Sequence, residues 1–165
     1  RSDLVEPRRA LLAEGAVVEI VSLKKEAVKS WNHKEWGEDF EIDAHIDDAF
    51  SRQYDALVLP GGVMNPDYLR MDERAVAFVK SFVTSGKPVG AICHGPWTLV
   101  EADVVRGRRV TSYPSLKTDL RNAGAEWVDQ EVVVDQNLVT SRRPDDLPAF
   151  CAALIEAIER RRAAA

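Results

Sequence analysis

Pro88-Val89-Gly90-Ala91-Ile92-Cys93-His94-Gly95-Pro96-Trp97-Thr98-Leu99-Val100-Glu101-Ala102 reads as a buried strand, one reactive polar residue and then a helix, with no loop between them. A nucleophile held at such a sharp strand-to-helix turn is lifted clear of its neighbours. Its sulfur would face the free N–H groups at the helix start, which favour the thiolate. The thiolate is the form of cysteine that attacks electrophiles. The alternative is a small buried hydrophobe at a strand end, and the polar neighbour His94 argues against it.

The chain has 165 residues, which fits one domain. The formal net charge of −5 argues against nucleic acid as the main partner, because phosphate binding needs a basic face. No apolar run approaches the roughly 20 residues of a membrane helix, and no signal peptide opens the chain. Cys93 and Cys151 sit in different contexts that suggest no disulfide framework. These features point to a cytoplasmic protein.

Outward from the turn, apolar strands alternate with amphipathic helices. Asp3 to Glu14 reads as a helix ended by Gly15, and Ala16 to Ser22 as a strand. Residues 24–37, polar with Trp31 and Trp36, look like an excursion. Phe40 to Ile46 alternates like a short edge strand, and Asp47 to Phe50 suggests a helical turn. Ala56 to Pro60 is a buried strand followed at once by Gly61-Gly62. Asp72 to Ser85 is a helix with Val76, Val79, Phe82 and Val83 on one face. Gly95 to Val100 and Leu116 to Ala123 are shorter helices, with Arg109 to Thr111 a strand between them. Glu126 to Asp135 and Asn137 to Ser141 form a hairpin pattern around Asp135-Gln136, and Asp146 to Arg162 is the last helix. Such alternation implies a parallel sheet covered on both faces. Ligands of these sheets bind beyond the carboxyl ends of the strands, and Gly61-Gly62 and Cys93 both fall there.

A cysteine nucleophile needs a base or a depressed pKa. The histidines are His33, His45 and His94, with none downstream of His94, which excludes a papain-like order. His94 adjoins Cys93, where the sharp turn makes a direct imidazole–sulfur hydrogen bond awkward. Gly61 and Gly62 could present N–H groups to an oxyanion together with the His94 N–H, or be an ordinary turn pair. Asp3 and Glu6 could be a capping box, and Glu73 a carboxylate favoured at a helix start. Cys151 reads as core. His33 and His45 have no partner at metal-ligand spacing, and His45 reads as a surface or interface residue. Tyr113-Pro114 lines the crevice or makes a plain turn.

Together, ALVLPGG (Ala56 to Gly62), GKPVGAICHGPW (Gly86 to Trp97), RGRRVTSYPSLKTDLRNAGAEWVDQEVVVD (Arg106 to Asp135) and LVTSRRPDDLPAF (Leu138 to Phe150) resemble the PfpI-type intracellular protease family of the ThiJ/PfpI superfamily. The resemblance implies a flavodoxin-like three-layer α/β sandwich, with a mostly parallel central sheet and the cysteine on the elbow. It implies intracellular homodimers, with hexamers in some members. It implies Cys93 as nucleophile, His94 as its companion histidine and Glu73 as a glutamate pairing with that histidine from a neighbouring subunit. The family glutamate that bonds the sulfur falls at Asp3, four residues before Pro7 and one methylene shorter. The family also begins with a central strand ahead of the first helix. No such segment precedes Arg1, so the intact protein is expected to carry residues before it. An intact mass near 18.4 kDa would contradict this.

The resemblance offers two chemistries, neither needing a metal or organic cofactor. In one, Cys93 attacks a reactive carbonyl such as methylglyoxal or a glycated side chain, with Asp3 moving protons. In the other it attacks a peptide carbonyl, with His94 assisting. The first is ranked ahead, because an acid-supported thiol without a free base suits activated carbonyls. A redox sensor or chaperone-like stress protein is the reading of a different class, since a low-pKa thiol oxidises readily.

Overall fold

The computed structural model describes residues 2–23, 28–32, 35–40 and 43–164, with side chains described for 4–23 and 43–164. In chain order the elements are α1 (Ser2–Ala13), β1 (Val21–Ser22), β2 (Val28–Asn32), β3 (Glu35–Phe40), β4 (Ala44–His45), β5 (Leu57–Leu59), α2 (Met64–Leu69), α3 (Glu73–Thr84), β6 (Val89–Ile92), α4 (Pro96–Glu101), β7 (Arg109–Val110), α5 (Lys117–Asn122), β8 (Glu126–Trp127), β9 (Val132–Asp135), β10 (Leu138–Ser141) and α6 (Leu147–Ala164).

The main sheet runs β5-β6-β10-β9. β5, β6 and β10 are parallel, and β9 is antiparallel to β10. All four β6 residues are buried, as a strand covered on both faces requires. On one face Val89, Ala91 and Leu138 meet Val79, Phe82 and Val83 of α3, Leu99 of α4 and Leu120 of α5. On the other, Ile92 and Val139 meet Phe150, Leu154 and Ala157 of α6, with Leu11 of α1 beyond. The result is a three-layer sandwich. Phe82 and Phe150 are fully buried, each contributing roughly 1.5–3 kcal/mol of transfer free energy. Gly90 fits this packing because a β-carbon there would lie 2.7 Å from the Phe150 ring.

Several elements depart from the sequence reading. Residues 16–20 are not strand, and β1 keeps only Val21 and Ser22, parallel to β4. The Asp43 carboxylate takes the Ile20 N–H at 2.6 Å, ending the ladder there. The excursion is a hairpin, β2 against β3, with Trp31 opposite Trp36. The edge strand expected over Phe40 to Ile46 is replaced by the end of β3 at Phe40 and the short β4, residues 41–42 lying outside the described residues. Glu126-Trp127 leaves the expected hairpin to pair in parallel with β7. The β9–β10 turn centres on Gln136-Asn137, Gln136 taking a positive φ of 54°. The helix expected from Leu116 opens as a 3-10 turn, Pro114–Leu116, before α5.

His45 is a structural residue. Asp47 N–H donates to its Nδ1 at 3.1 Å, so the ring proton sits on Nε2 and is donated to the Leu23 carbonyl at 2.8 Å. His33 and the side chains of Trp31 and Trp36 lie outside the described residues.

Candidate active site

The site is built at the carboxyl ends of β5, β6 and β10. Cys93 follows β6 directly and holds φ at +62°, the left-handed conformation that non-glycine residues rarely adopt. Such conformations cost of order 1–3 kcal/mol and persist where the surroundings over-determine them. Here Cys93 N–H donates to the Ser141 carbonyl at 3.1 Å, and the Cys93 carbonyl accepts from Tyr113 N–H at 2.8 Å. Gly95 completes the turn. A β-carbon on it would lie 2.6 Å from the Leu59 carbonyl oxygen and 3.0 Å from that of Ile92. That approach also places the end of β5, and hence the Gly61-Gly62 loop, beside the elbow. Gly62 has φ +85° and is exposed, and Gly61 is half-buried.

The start of α4 differs from the expected amide nest. The helix is only six residues long, and Pro96 brings no N–H. Gly95 N–H donates to the Ile92 carbonyl, Trp97 N–H to that of His94 and Thr98 N–H to that of Gly95. Little of a helix macrodipole is left to act on the sulfur.

Histidine takes its place. Cys93 Sγ lies 3.3 Å from His94 Nδ1, so the contact that seemed awkward from adjacency is made within one chain. The positive φ at Cys93 is what lets consecutive side chains turn toward each other. His94 is held by a Tyr113 ring stacked at 4.9 Å and 24°, with Trp97 tilted at 6.1 Å. Its Nε2 lies 3.2 Å from Ser115 Oγ. The sequence reading stopped at Tyr113-Pro114, and the available signal was a hydroxyl one residue further in the same proline-opened turn.

Asp3 lies in the first turn of α1, one residue inside the start of the helix rather than capping it. Its side chain is outside the described residues. Glu6 pairs with Arg9 at 3.1 Å instead of closing a capping box. Glu73 is exposed at the start of α3, where Asp72 caps by accepting from Arg74 and Ala75 N–H. Cys151 is half-buried on α6, and burial, with the charge of Glu6, pushes its thiol up. A shallow depression of about 400 Å³ lies one turn past the elbow, where the Arg70 guanidinium covers Trp97 and Asp119 accepts from its indole. Among the described residues, no three His, Cys, Asp or Glu side chains converge as a metal site, and no helix is long and apolar enough to cross a membrane.

A cysteine on a strained elbow over a mostly parallel α/β sheet, with its histidine beside it, defines a class of cysteine-bearing α/β sandwiches. Within that class the chain belongs to the DJ-1/PfpI family, whose model matches residues 1–157. It is 53% identical over 133 residues to protein/nucleic acid deglycase 2 of Escherichia coli (strain K12), covering 80% of this chain and 77% of that protein. It is 48% identical over 150 residues to general stress protein 18 of Bacillus subtilis (strain 168), covering 90% of this chain and 86% of that one. Among solved structures it is similar to a two-domain protein from Anabaena variabilis with dj-1/thij/pfpi-like and ferritin-like domains. That match has a TM-score of 0.90 and 34% identity, covering 96% of this chain and 44% of the other.

Proposed function

We propose that this protein is a stress-protective, cofactor-free cysteine enzyme that acts on reactive carbonyls, as a glyoxalase or protein deglycase. The observation that carries the reading is the strained Cys93 with an imidazole nitrogen 3.3 Å from its sulfur. The thiolate adds to the aldehyde carbon of methylglyoxal, and the carbonyl oxygen takes a proton, giving a hemithioacetal. A proton leaves that carbon and one returns to the neighbouring carbon, turning the hemithioacetal into a lactoyl thioester. Water then releases lactate and the thiol. Asp3 is the proton carrier in this scheme, and the Gly61, Gly62 and His94 N–H groups hold the oxyanion. The name of the Escherichia coli relative extends to nucleic acid. The net charge of −5 here favours free carbonyls and glycated protein instead.

The second reading is a cysteine peptidase. The Cys93–His94 contact supports it, because it supplies the adjacent base that the sequence reading held to be missing. Glu73 of a neighbouring subunit completes the histidine's environment in that reading, within a homodimer or hexamer. A thiol redox sensor or chaperone-like protein is the third. The test compares wild type with Cys93→Ser on methylglyoxal and on labelled casein. Lactate formed only by wild type supports the first reading, and casein cleavage without lactate replaces it with the second. A peroxide-titratable Cys93 as the sole signal replaces it with the third.

The same reading takes the chain as one family domain, cytoplasmic, whose sheet accepts a further central strand between β1 and β5. One observation supports the strand. β5 carries Leu57, Val58 and Leu59 yet pairs only with β6 among the described residues, an unusual load for an edge.

A further inference from the structure

Ser115 stands in the 3-10 turn Pro114–Leu116, which is anchored at both ends. Tyr113 N–H donates to the Cys93 carbonyl at 2.8 Å, and the Leu116 side chain is buried in the core. Trp127 Nε1 donates to Ser112 Oγ at 3.0 Å, and Ser112 Oγ to the Tyr113 carbonyl at 2.8 Å, fixing the preceding residues. The hydroxyl reaches His94 Nε2 at 3.2 Å, while the other ring nitrogen faces the sulfur at 3.3 Å. Sulfur, imidazole and hydroxyl thus form a continuous line within one chain.

A hydroxyl is both donor and acceptor. When Ser115 O–H donates to Nε2, that nitrogen carries no proton, so the proton of the neutral ring is on Nδ1 and points at Sγ. The thiolate then receives an N–H hydrogen bond. When the neutral ring is instead the Nε2–H tautomer, Nε2–H donates to Ser115 Oγ and the free Nδ1 takes the proton of the thiol, leaving the thiolate beside an imidazolium. The hydroxyl serves both states and adds no charge of its own, whereas a carboxylate there would favour the imidazolium.

From this geometry we infer that Ser115 is a positioning residue, which fixes the orientation of the His94 ring so that its Nδ1 faces and supports the Cys93 thiolate. The inference rests on Cys93 being the nucleophile. It needs no particular substrate and no partner subunit.

The test is the rate of Cys93 alkylation by iodoacetamide as a function of pH, with folding checked by circular dichroism. Wild type is compared with Ser115→Ala, Ser115→Thr, His94→Ala and the Ser115→Ala/His94→Ala pair. Losing one hydrogen bond to the ring is expected to slow alkylation at pH 7 about 3- to 10-fold in Ser115→Ala, with the midpoint displaced to higher pH. Ser115→Thr stays within about 2-fold of wild type. In the His94→Ala background Ser115→Ala has no further effect, because its action passes through the imidazole. On methylglyoxal, kcat falls and KM holds. A Ser115→Ala rate within about 2-fold of wild type at pH 7 overturns the inference, as does an equal slowing without His94. Should the wild type turn over no carbonyl while the alkylation pattern holds, the functional reading fails and the role of Ser115 stands.

Discussion

Cys93 and Gly95 divide the work of the elbow between strain and space. Cys93 accepts an unfavourable φ of 62°, and Gly95 lets the backbone pass close under the end of β5. Gly95→Ala leaves no soft neighbour to yield, since the atoms a β-carbon would strike are main-chain oxygens of Leu59 and Ile92. We expect a loss of at least about 1–3 kcal/mol from overpacking, read as a lower thermal midpoint, together with lost activity. An unchanged melt would mean that the turn relaxes freely. The sequence carried the elbow itself, because a strand, a cysteine, a glycine and a helix follow one another without a gap. It could not carry the Cys93–His94 contact, which depends on a positive φ that no residue pattern announces at a non-glycine. Ser115 was illegible for another reason, since its partner lies 21 residues away and meets it only after the turn folds back.

Elements buried on both faces were the easiest to read. β6 occupies the apolar run between Pro88 and Cys93, and α3 differs from the expected helix only in giving Asp72 and Ser85 to its caps. The short edge pieces misled, because two-residue strands such as β1 and β8 are set by what they meet, not by their own composition. The loop joining β10 to α6 is fixed by charge. Arg142 donates through backbone N–H and side-chain Nε to Asp146 Oδ2, both at 3.0 Å, and through its guanidinium to Asp129 at 3.0 Å. Burial pushes the Asp146 carboxyl up, but the hydrogen bonds and charge of Arg142 outweigh it and hold the group below the usual range. Its folded pKa is therefore below the unfolded value of about 3.9. The stabilisation is complete above that value and lost as pH falls through the folded one. Asp146→Asn is expected to lower neutral-pH stability by about 1–3 kcal/mol and to flatten the decline below pH 4 in denaturant titrations. An unaltered acid limb would remove Asp146 from that account.

At the scale of the whole molecule, the surface beside the elbow is apolar. Met64 and Met71 are 69% and 73% exposed, and Val63 and Tyr68 are more than half exposed, all between the Gly61-Gly62 loop and Glu73. Exposed apolar side chains gathered on one short helix and its flanks suit a protein partner. A second copy seated there fits the reading in which Glu73 serves the histidine of a neighbour. Cys93→Ser and Glu73→Gln would then each be inactive as pure oligomers, and mixing them after subunit exchange should restore part of the activity. No recovery, with exchange verified by mass spectrometry, would confine the site to one chain. The second cysteine has its own consequence. Burial and a nearby carboxylate keep Cys151 a thiol at neutral pH, so a mild electrophilic dye should leave it unmarked. Of the two cysteines in this sequence, the one at the elbow alone then takes a fluorescent reporter, and its labelling can be followed by light in real time without replacing the other.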